Sequence, residues 1–455
     1  MSHPLIALID IGKTNAKVSV IDPETGAEIR GSRRANSILR GSTMRELDVE
    51  AIGQWLLDAL REAPHRDRIR TIVLVAHGAA AVLIDREHRV IAAPDYEDSC
   101  FERVNAEYRQ QRDAYENTYS PDLPLGLNLG RQLFFLQQAQ PQLFSRVAHV
   151  LLYPQFWAWR LSGVMASEVT SLGCHSDLWL PREQTFSKLA QARGWDKLFP
   201  PMKLASDVLG PISSEVAAAT GLNPHCQVSC GIHDSNASYL KFLTTRDRAA
   251  PFTVISSGTW TVVMANRADL SRLREDKDML ASVDAFGSPV ATARFMGGRE
   301  YETIAGTDSR PNAPALLNVI ERQSMALPAF ASGGPFAGRE GRCVDADRLS
   351  GSERAALATL YVALMCELVI EMLGAEGAVL IDGPLATNPL FGSILHALLP
   401  ARPIALSTGD TGNTRAACYL AGFNETQAPA MTPAASMALR SLPAYREAWR
   451  KQVLG

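Results

Sequence analysis

Cysteine is scarce in this chain and forms no recognisable pattern. Seven cysteines are spread over 455 residues, and an odd number in a chain of this length does not favour a disulfide framework. The closest pair, Cys226 and Cys230, is spaced differently from the usual zinc ligands. We therefore expect buried free thiols in a reducing compartment.

The net charge is small, and the sequence gives little sign of a signal peptide or a membrane-spanning segment. Lys and Arg number 45 against 48 Asp and Glu, for a formal net charge of -3. This balance gives no reason to expect a nucleic acid or an anionic membrane surface as partner. The first twelve residues lack the basic start and long apolar core of a signal peptide, and we expect no apolar stretch near the ~20 residues that span a membrane. These absences predict a cytoplasmic protein.

Apolar residues are plentiful, because they make up 46% of the sequence while charged residues make up 20%. This is the composition of a globular protein, and the chain is too long for one ordinary core. We therefore predict two domains, each with a core of its own.

The order of predicted strands and helices repeats once along the chain. The first half reads as strands at 4–12, 16–22 and 27–34, a helix at 46–62, and a doubly buried strand at 71–78. The second half reads as strands at 252–258, 261–266 and 288–298, a helix at 351–373, a strand at 378–383, a helix at 388–399, a strand at 403–407 and a helix at 413–422. Each half opens with a hairpin whose turn contains Gly and Thr. We predict an α/β protein of two domains with duplicated topology, covering residues 1–243 and 244–455.

The two hairpin turns have the composition of phosphate-binding loops. The first turn contains Gly12, Lys13, Thr14 and Asn15, and the second contains Gly258 and Thr259. Glycine lets backbone N–H groups approach a phosphate because no Cβ stands in the way. Either turn alone could equally be an ordinary polar hairpin, since short glycine motifs are common. Two of them in equivalent positions indicate one nucleotide served by both halves.

Two aspartates, Asp10 and Asp234, stand at the ends of predicted strands, where a metal ion or a substrate could bind. Asp10 closes the first strand, where it could hold Mg²⁺ through water, since Mg²⁺ takes few carboxylates and keeps several waters. Asp234 ends a strand-like run at 226–234, and α/β ligand clefts lie at such strand ends. Phosphoryl transfer needs one group that orients and deprotonates the attacking hydroxyl. The competing interpretation makes Asp234 the N-cap of the next helix.

A further turn follows the strand at 378–383. Gly383 allows a close backbone approach that could make room for an adenine ring, and Asn388 opens a helix. An ordinary strand–loop–helix with an Asn cap explains these residues equally well.

These motifs together resemble the FGGY family of carbohydrate kinases, within the larger actin-like, hexokinase-like ATPase group. The resemblance runs in order over residues 4–425, although Lys13 stands where Thr is frequent and the adenosine motif is reduced to one matching glycine. The matched positions are Asp10, Gly12 and Thr14 in the first turn, Gly231 and Asp234 before the second half, Gly258 and Thr259 in the second turn, and Gly383.

The resemblance also implies a sugar pocket. His233 before the base resembles the His-Asp pair of rhamnulose and related deoxyketose kinases, whereas Arg294 and Glu302 depart from that pattern. Tyr96 stands where the family's Trp-x-Asp element has Trp. The sugar contacts assigned from the resemblance are His77, Gly78, Asp98, His233, Asp234 and Arg294.

The implied activity is ATP-dependent phosphorylation of a small sugar, with Asp234 as catalytic base and with ATP and Mg²⁺ as cofactors. The resemblance implies two actin-like (ribonuclease H-like) domains with an ATP cleft between them, and a possible homodimer. Two alternatives share this topology: an actin-like ATPase that drives partner binding, and a sensor that binds sugar without turnover. A dinucleotide oxidoreductase is disfavoured, because residues 10–15 lack the Gly-x-Gly-x-x-Gly pattern.

Overall fold

The computed structural model describes residues 3–41, 43–306, 310–407, 412–423 and 430–455. The chain divides into two compact units. Unit 1 comprises Met1–Thr245, Ala281–Pro289 and Asp410–Ala428, and unit 2 comprises Arg246–Leu280, Val290–Gly409 and Pro429–Gly455.

The sheet of unit 1 has the order β5-β6-β4-β1-β2-β3, with β7 paired to β4. Its strands are β1 Leu5–Ile11, β2 Asn15–Ile21, β3 Glu28–Ala35, β4 Ile69–Ala76, β5 Val208–Pro211, β6 Gln227–Ser229 and β7 Ile232–His233. The hairpin β1–β2 is antiparallel, while β1, β6 and β7 all run parallel to β4. The continuous apolar run of β4 fits its central place in this sheet.

The second sheet repeats this plan in the order β10-β11-β9-β8-β12-β13-β14. Its strands are β8 Phe252–Ser257, β9 Thr261–Asn266, β10 Met279–Val283, β11 Pro289–Phe295, β12 Ala378–Asp382, β13 Ile404–Ser407 and β14 Met431–Pro433. An antiparallel hairpin (β8–β9) again leads, and β12 again pairs in parallel with its first strand. The predicted duplication of topology is confirmed, and both units have the α/β architecture of actin-like domains.

Helices cover the sheets. Those named here are α1 Val49–Arg61, α2 Asn105–Gln111, α3 Leu129–Ala139, α4 Tyr153–Ser162, α5 Val169–Leu172, α6 Ser214–Thr220, α7 Asp234–Leu243, α8 Gly297–Ala305, α9 Ala313–Glu321, α10 Gly351–Leu373, α11 Phe391–Leu398, α12 Gly412–Leu420 and α13 Leu442–Leu454. Further short helices lie at Tyr115–Thr118, Pro141–Phe144, Lys188–Ala192 and Pro384–Thr387. Short strands pair at Ile38–Arg40 with Arg45–Leu47, at Ala81–Ile84 with Val90–Ala92 and His149–Leu152, at Trp179–Leu180 with Thr185–Phe186, and at Met325–Leu327 with Arg342–Val344. In α1, apolar residues at helical spacing (Ile52, Leu56, Leu60) face the core, and Asp48 caps the first turn.

Helix α10 corrects one expectation from the sequence. Its 23 residues are long and apolar enough to cross a membrane by length and composition, although no such stretch was expected. The helix contains Glu353 and Glu367, which interrupt the apolar run in the sequence. Glu353 completes a capping box with Ser350, and Glu367 pairs with Arg446. Since 89% of the apolar window is buried inside the protein, α10 has the burial of a core helix.

Candidate active site

Three parallel strands of unit 1 (β1, β4 and β7) end at the same edge of the sheet, and polar residues lie at their carboxyl ends. In the register of β1 and β4, Asp10 lies opposite Val75, and His233 of β7 lies opposite Ala76. His77 and Asp234 directly follow Ala76 and His233 in the chain. The register therefore places Asp10, His77 and Asp234 together at the carboxyl ends of the strands, where α/β proteins bind ligands.

Asp234 is the first residue of α7, and the N-cap position is occupied by His233. A carboxylate in this first turn is stabilised by the positive end of the helix dipole. One carboxylate oxygen, Oδ1, accepts from the backbone N–H of Ser235 at 2.6 Å and lies 3.1 Å from His233 Nε2. The other, Oδ2, has no hydrogen-bond partner within the described ranges, and the side chain is 37% exposed. Asp234 is thus fixed through one oxygen and open through the other.

His233 is buried and is held from two sides. The amide nitrogen of Asn236 lies 3.4 Å from Nδ1 of the ring, and Nε2 lies 3.1 Å from Asp234 Oδ1. With the ring proton on Nε2, Nδ1 accepts from Asn236 and Nε2–H donates to Asp234. A Cβ on Gly78 would lie 2.6 Å from His233 Nε2. Gly78 is therefore required for the ring to occupy this position.

His77 and Tyr96 lie beside this pair. The Nδ1–H of His77 donates to the carbonyl of Gly78 at 2.9 Å, which leaves Nε2 as an acceptor. Burial lowers the pKa of His77, so its ring is neutral at pH 7. The Tyr96 ring lies 5.6 Å from the His77 ring, and burial followed by nearby carboxylates raises the pKa of Tyr96.

Asp10 is largely buried near Asp234. Burial first, and the charge of Asp234 second, raise the pKa of Asp10. The side-chain amide of Asn413 opposes this by donating to Asp10 Oδ2 at 2.8 Å. A buried carboxylate with a second carboxylate nearby is a suitable setting for a divalent cation. The described residues contain no group of three or more His, Cys, Asp or Glu side chains that could hold a metal ion.

The turn between β1 and β2 is closed by its own backbone. Gly12 N–H donates to the Asn15 carbonyl at 2.9 Å, and the Thr14 carbonyl accepts from Asn36 N–H. Any backbone contact of this turn with a phosphate must therefore come from the N–H groups that follow Gly12. Lys13 Nζ is paired with the buried carboxylate of Asp95 and lies 3.1 Å from Glu97, so its charge is already balanced within unit 1.

Two residues predicted to contact sugar, Asp98 and Arg294, are engaged in hydrogen bonds or ion pairs with other residues of the protein. Asp98 caps the 3-10 helix Ser99–Val104: its two oxygens accept the N–H groups of Cys100 (2.8 Å) and Arg45 (2.5 Å). Burial alone would raise the pKa of Asp98, but these N–H groups outweigh it and lower that pKa. Arg294 belongs to unit 2, where it pairs with Asp278 at 3.2 Å and lies 5.0 Å from the Trp260 ring.

Sequence reasoning missed a buried pair of side chains, Glu168 and Thr170, behind the segment that carries Asp234. Thr170 Oγ1 accepts the backbone N–H of His233 at 3.0 Å and donates to Glu168 Oε2 at 2.5 Å. Glu168 caps α5 by accepting Thr170 N–H and is completely buried. The signal in the sequence is an ionisable residue in a stretch that otherwise folds into the core, and nothing local connects it with Asp234.

Burial of Glu168 makes stability pH-dependent. Desolvation raises the pKa of Glu168 to about 8, against the lowering effect of the Thr170 contacts. Between the ordinary value of 4.5 and about 8, the folded state keeps a proton that the unfolded state has lost. Stability contributed by this group is therefore present below 4.5 and declines as pH rises toward 8. We expect Glu168→Gln, which stays neutral, to gain thermal stability over the parent protein across this window, as measured by melting curves from pH 4.5 to 9. A difference independent of pH would contradict the burial of an ionisable carboxyl.

Unit 2 contains a pocket at the equivalent hairpin. It has a volume of about 550 Å³ and is lined by the β8–β9 turn, the start of α8 and the segment after β12. Its lining includes Gly258, Thr259, Gly298, Glu302 and Asn388. Gly258 N–H closes its turn by donating to the Trp260 carbonyl at 2.9 Å, so this glycine has the same role as Gly12 in unit 1.

Ser257 and Gly383 connect the two walls of this pocket. The Ser257 hydroxyl donates to the Asp382 carbonyl at 2.6 Å and accepts from Leu385 N–H at 3.0 Å. Gly383 has φ +79, and a Cβ there would lie 2.1 Å from the Ser257 carbonyl oxygen. Only glycine fits this close approach.

Asn388 borders the pocket, but its amide is occupied. Its oxygen accepts from the N–H groups of Leu390 and Phe391, and its nitrogen donates to Thr359. The Asn388 oxygen thus satisfies backbone N–H groups at the start of α11, although the N-cap residue itself is Leu390.

Known families match both halves of the chain. The N-terminal domain of the FGGY family of carbohydrate kinases matches residues 5–240. The carbohydrate kinase FGGY C-terminal domain matches residues 249–430.

Individual relatives agree. L-fuculokinase of Escherichia coli (strain K12) is 23% identical over 285 residues, which cover 59% of this chain and 58% of that protein. The crystal structure of a carbohydrate kinase from Novosphingobium aromaticivorans has a TM-score of 0.91 and 36% identity, covering 100% of this chain and 99% of the other. Xylulose kinase from Rhodospirillum rubrum has the same fold, with a TM-score of 0.78 and 16% identity over 98% of this chain and 97% of the other. The chain belongs to the FGGY family of carbohydrate kinases.

Proposed function

We propose that this protein transfers the terminal phosphoryl group of ATP to a hydroxyl of a small ketose, such as a 6-deoxyketohexose or a ketopentose. The observation that carries the proposal is the state of Asp234. One of its oxygens is anchored by Ser235 and His233, and the other faces outward without a hydrogen-bond partner among the described residues. A carboxylate in this state can orient an incoming hydroxyl and accept its proton.

In the proposed reaction, Asp234 Oδ2 accepts a hydrogen bond from the sugar hydroxyl and takes its proton as the sugar oxygen bonds to the γ-phosphorus of ATP. The bond from that phosphorus to the β,γ-bridging oxygen breaks in the same step, and the oxygen leaves with ADP. In a loose transition state the proton transfer occurs late, so positioning contributes more than basicity. His233 Nε2–H holds Oδ1 throughout and thereby fixes the plane of the carboxylate.

The nucleotide is proposed to bind unit 2, with its phosphates at the turn of Gly258 and Thr259 and its base in the 550 Å³ pocket. The exposed Thr259 hydroxyl and the N–H groups after Gly258 are suited to phosphate oxygens. Mg²⁺, held through water by Asp10, would neutralise charge on the phosphates.

The sugar is proposed to bind unit 1 beside His77, Tyr96 and His233. The neutral His77 offers Nε2 as an acceptor for a second sugar hydroxyl, and the Tyr96 ring gives an apolar face. The ketose class is supported by the relatives named L-fuculokinase and xylulose kinase.

The test is an ADP-release screen of the purified protein against L-fuculose, L-rhamnulose, D-xylulose, D-ribulose and glycerol. We expect ADP release to rise at least tenfold above background with one ketose. ATP turnover that is unaffected by every sugar would indicate an actin-like ATPase. Sugar binding in calorimetry without turnover would indicate a sensor, and either result would contradict the proposal.

A further inference from the structure

We infer that Thr170, braced by Glu168, is a positioning residue that fixes the backbone from which Asp234 projects. This inference rests on the proposed role of Asp234 as base. The observation that supports the inference is a chain of two hydrogen bonds. It runs from Glu168 through the Thr170 hydroxyl to the N–H of His233, the residue directly before Asp234.

The strand that delivers Asp234 needs such a restraint. β7 contains only Ile232 and His233, and it is separated from β6 by Cys230 and Gly231. Gly231 has φ +90, and a Cβ there would lie 2.8 Å from Leu74 Cβ. The chain therefore breaks its regular course just before the base. With so short a ladder, the position of His233 depends on contacts outside the sheet.

Thr170 supplies one of those contacts at the backbone. His233 N–H donates to Thr170 Oγ1 at 3.0 Å. The same hydroxyl donates a hydrogen bond to Glu168 Oε2, which fixes the orientation of the hydroxyl. A hydroxyl can accept and donate at once, and both functions are used here.

Glu168 is itself anchored at its amino side. Ser167 N–H donates to the Pro201 carbonyl at 3.0 Å, and the Ser167 carbonyl accepts from Lys203 N–H at 2.8 Å. Glu168 also accepts Thr170 N–H at 2.9 Å. The brace therefore runs from a paired backbone segment, through two fully buried side chains, to the turn that carries the base.

The chain offers a matched control for the experiment. Thr220 is also completely buried in unit 1, and its hydroxyl donates to the Val216 carbonyl (2.7 Å) and accepts from Leu222 N–H (3.3 Å). Replacing either threonine with valine removes a bridging hydroxyl of the same kind. Only Thr170 is bonded to His233.

The experiment measures kcat, the KM for ATP, melting temperature and amide exchange of segment 231–236 in Thr170→Val, Thr170→Ser and Thr220→Val. The acceptor is the panel sugar with the highest rate. We expect Thr170→Val to lower kcat about tenfold or more, since an unpaired buried N–H shifts the turn, with an unchanged KM for ATP. Amide exchange at 231–236 should accelerate. Thr170→Ser should restore both, and Thr220→Val should lower the melting temperature without changing kcat.

Parental kcat and exchange in Thr170→Val would overturn the inference. Equal losses of kcat in the two valine variants would also overturn it, because the effect would then follow stability alone, and so would a serine variant as slow as the valine variant. If Asp234→Asn is nearly inactive while Thr170→Val behaves as the parent, only the positioning role fails. If Asp234→Asn remains active, the base assignment fails instead.

Discussion

Asp234→Asn is expected to lower kcat by about 10²–10⁴, the range for loss of a general base. Asparagine keeps the shape of the side chain and an oxygen that can accept from Ser235 and His233. The second carboxylate oxygen becomes an NH₂ group, which donates toward the sugar hydroxyl and cannot take its proton. Steady-state ADP release with the best sugar, together with calorimetric binding of that sugar, measures the effect.

Asp48→Asn serves as the control for this substitution. Asp48 caps α1 by accepting Ala51 N–H, and Asn caps helices about as well as Asp. We therefore expect parental kcat and melting temperature in Asp48→Asn. An Asp234→Asn protein that is folded and turns over at more than a tenth of the parental rate would exclude Asp234 as the base.

Gly383→Ala is expected to damage nucleotide binding severely. The substitution places a methyl group 2.1 Å from the Ser257 carbonyl at a residue with φ +79. Backbone strain of this kind costs about 1–3 kcal/mol, and the overlap forces the wall of the pocket away from the β8–β9 turn. We expect the Kd for ATP to rise tenfold or more, as measured by calorimetry.

Gly338→Ala separates strain from overlap. Gly338 also lies in unit 2 with φ +85, but a Cβ there would meet nothing within 4 Å. It should lose stability from strain while binding ATP as the parent does. Equal ATP affinity in the Gly383 and Gly338 variants would contradict the role of the close approach at Ser257.

Much of the fold followed from local patterns in the sequence. The hairpins, the strand at 71–78 and the helix at 351–373 are predicted from the length and local order of their apolar residues, and all are present, the strand at Ile69–Ala76. The duplicated plan was visible because each half repeats the same order of elements. The family was visible because its motifs are short, ordered and tied to turns.

Contacts made by individual polar side chains could not be predicted in the same way. Asp98 looks like a ligand in the sequence, but its oxygens are occupied by backbone N–H groups, one of them 53 residues away at Arg45. Lys13 looks like a phosphate contact, but it faces Asp95, 82 residues away. Such pairings join residues that are distant in the sequence and depend on tertiary packing. No local sequence pattern indicates them.

The bond between Asn413 and Asp10 has a consequence for biosynthesis. Asn413 belongs to α12, which lies in unit 1 and also reaches Ser238 of α7, 175 residues earlier in the chain. At ribosomal rates of about 5–20 residues per second, the 175 residues between Ser238 and Asn413 take roughly 9–35 seconds to synthesise. During that interval the face of α7 that later receives α12 is exposed, and Asp10 lacks its amide partner. Unit 1 is thus completed only after most of unit 2 has been synthesised, so a nascent chain would complete the strand-end edge around Asp10 late.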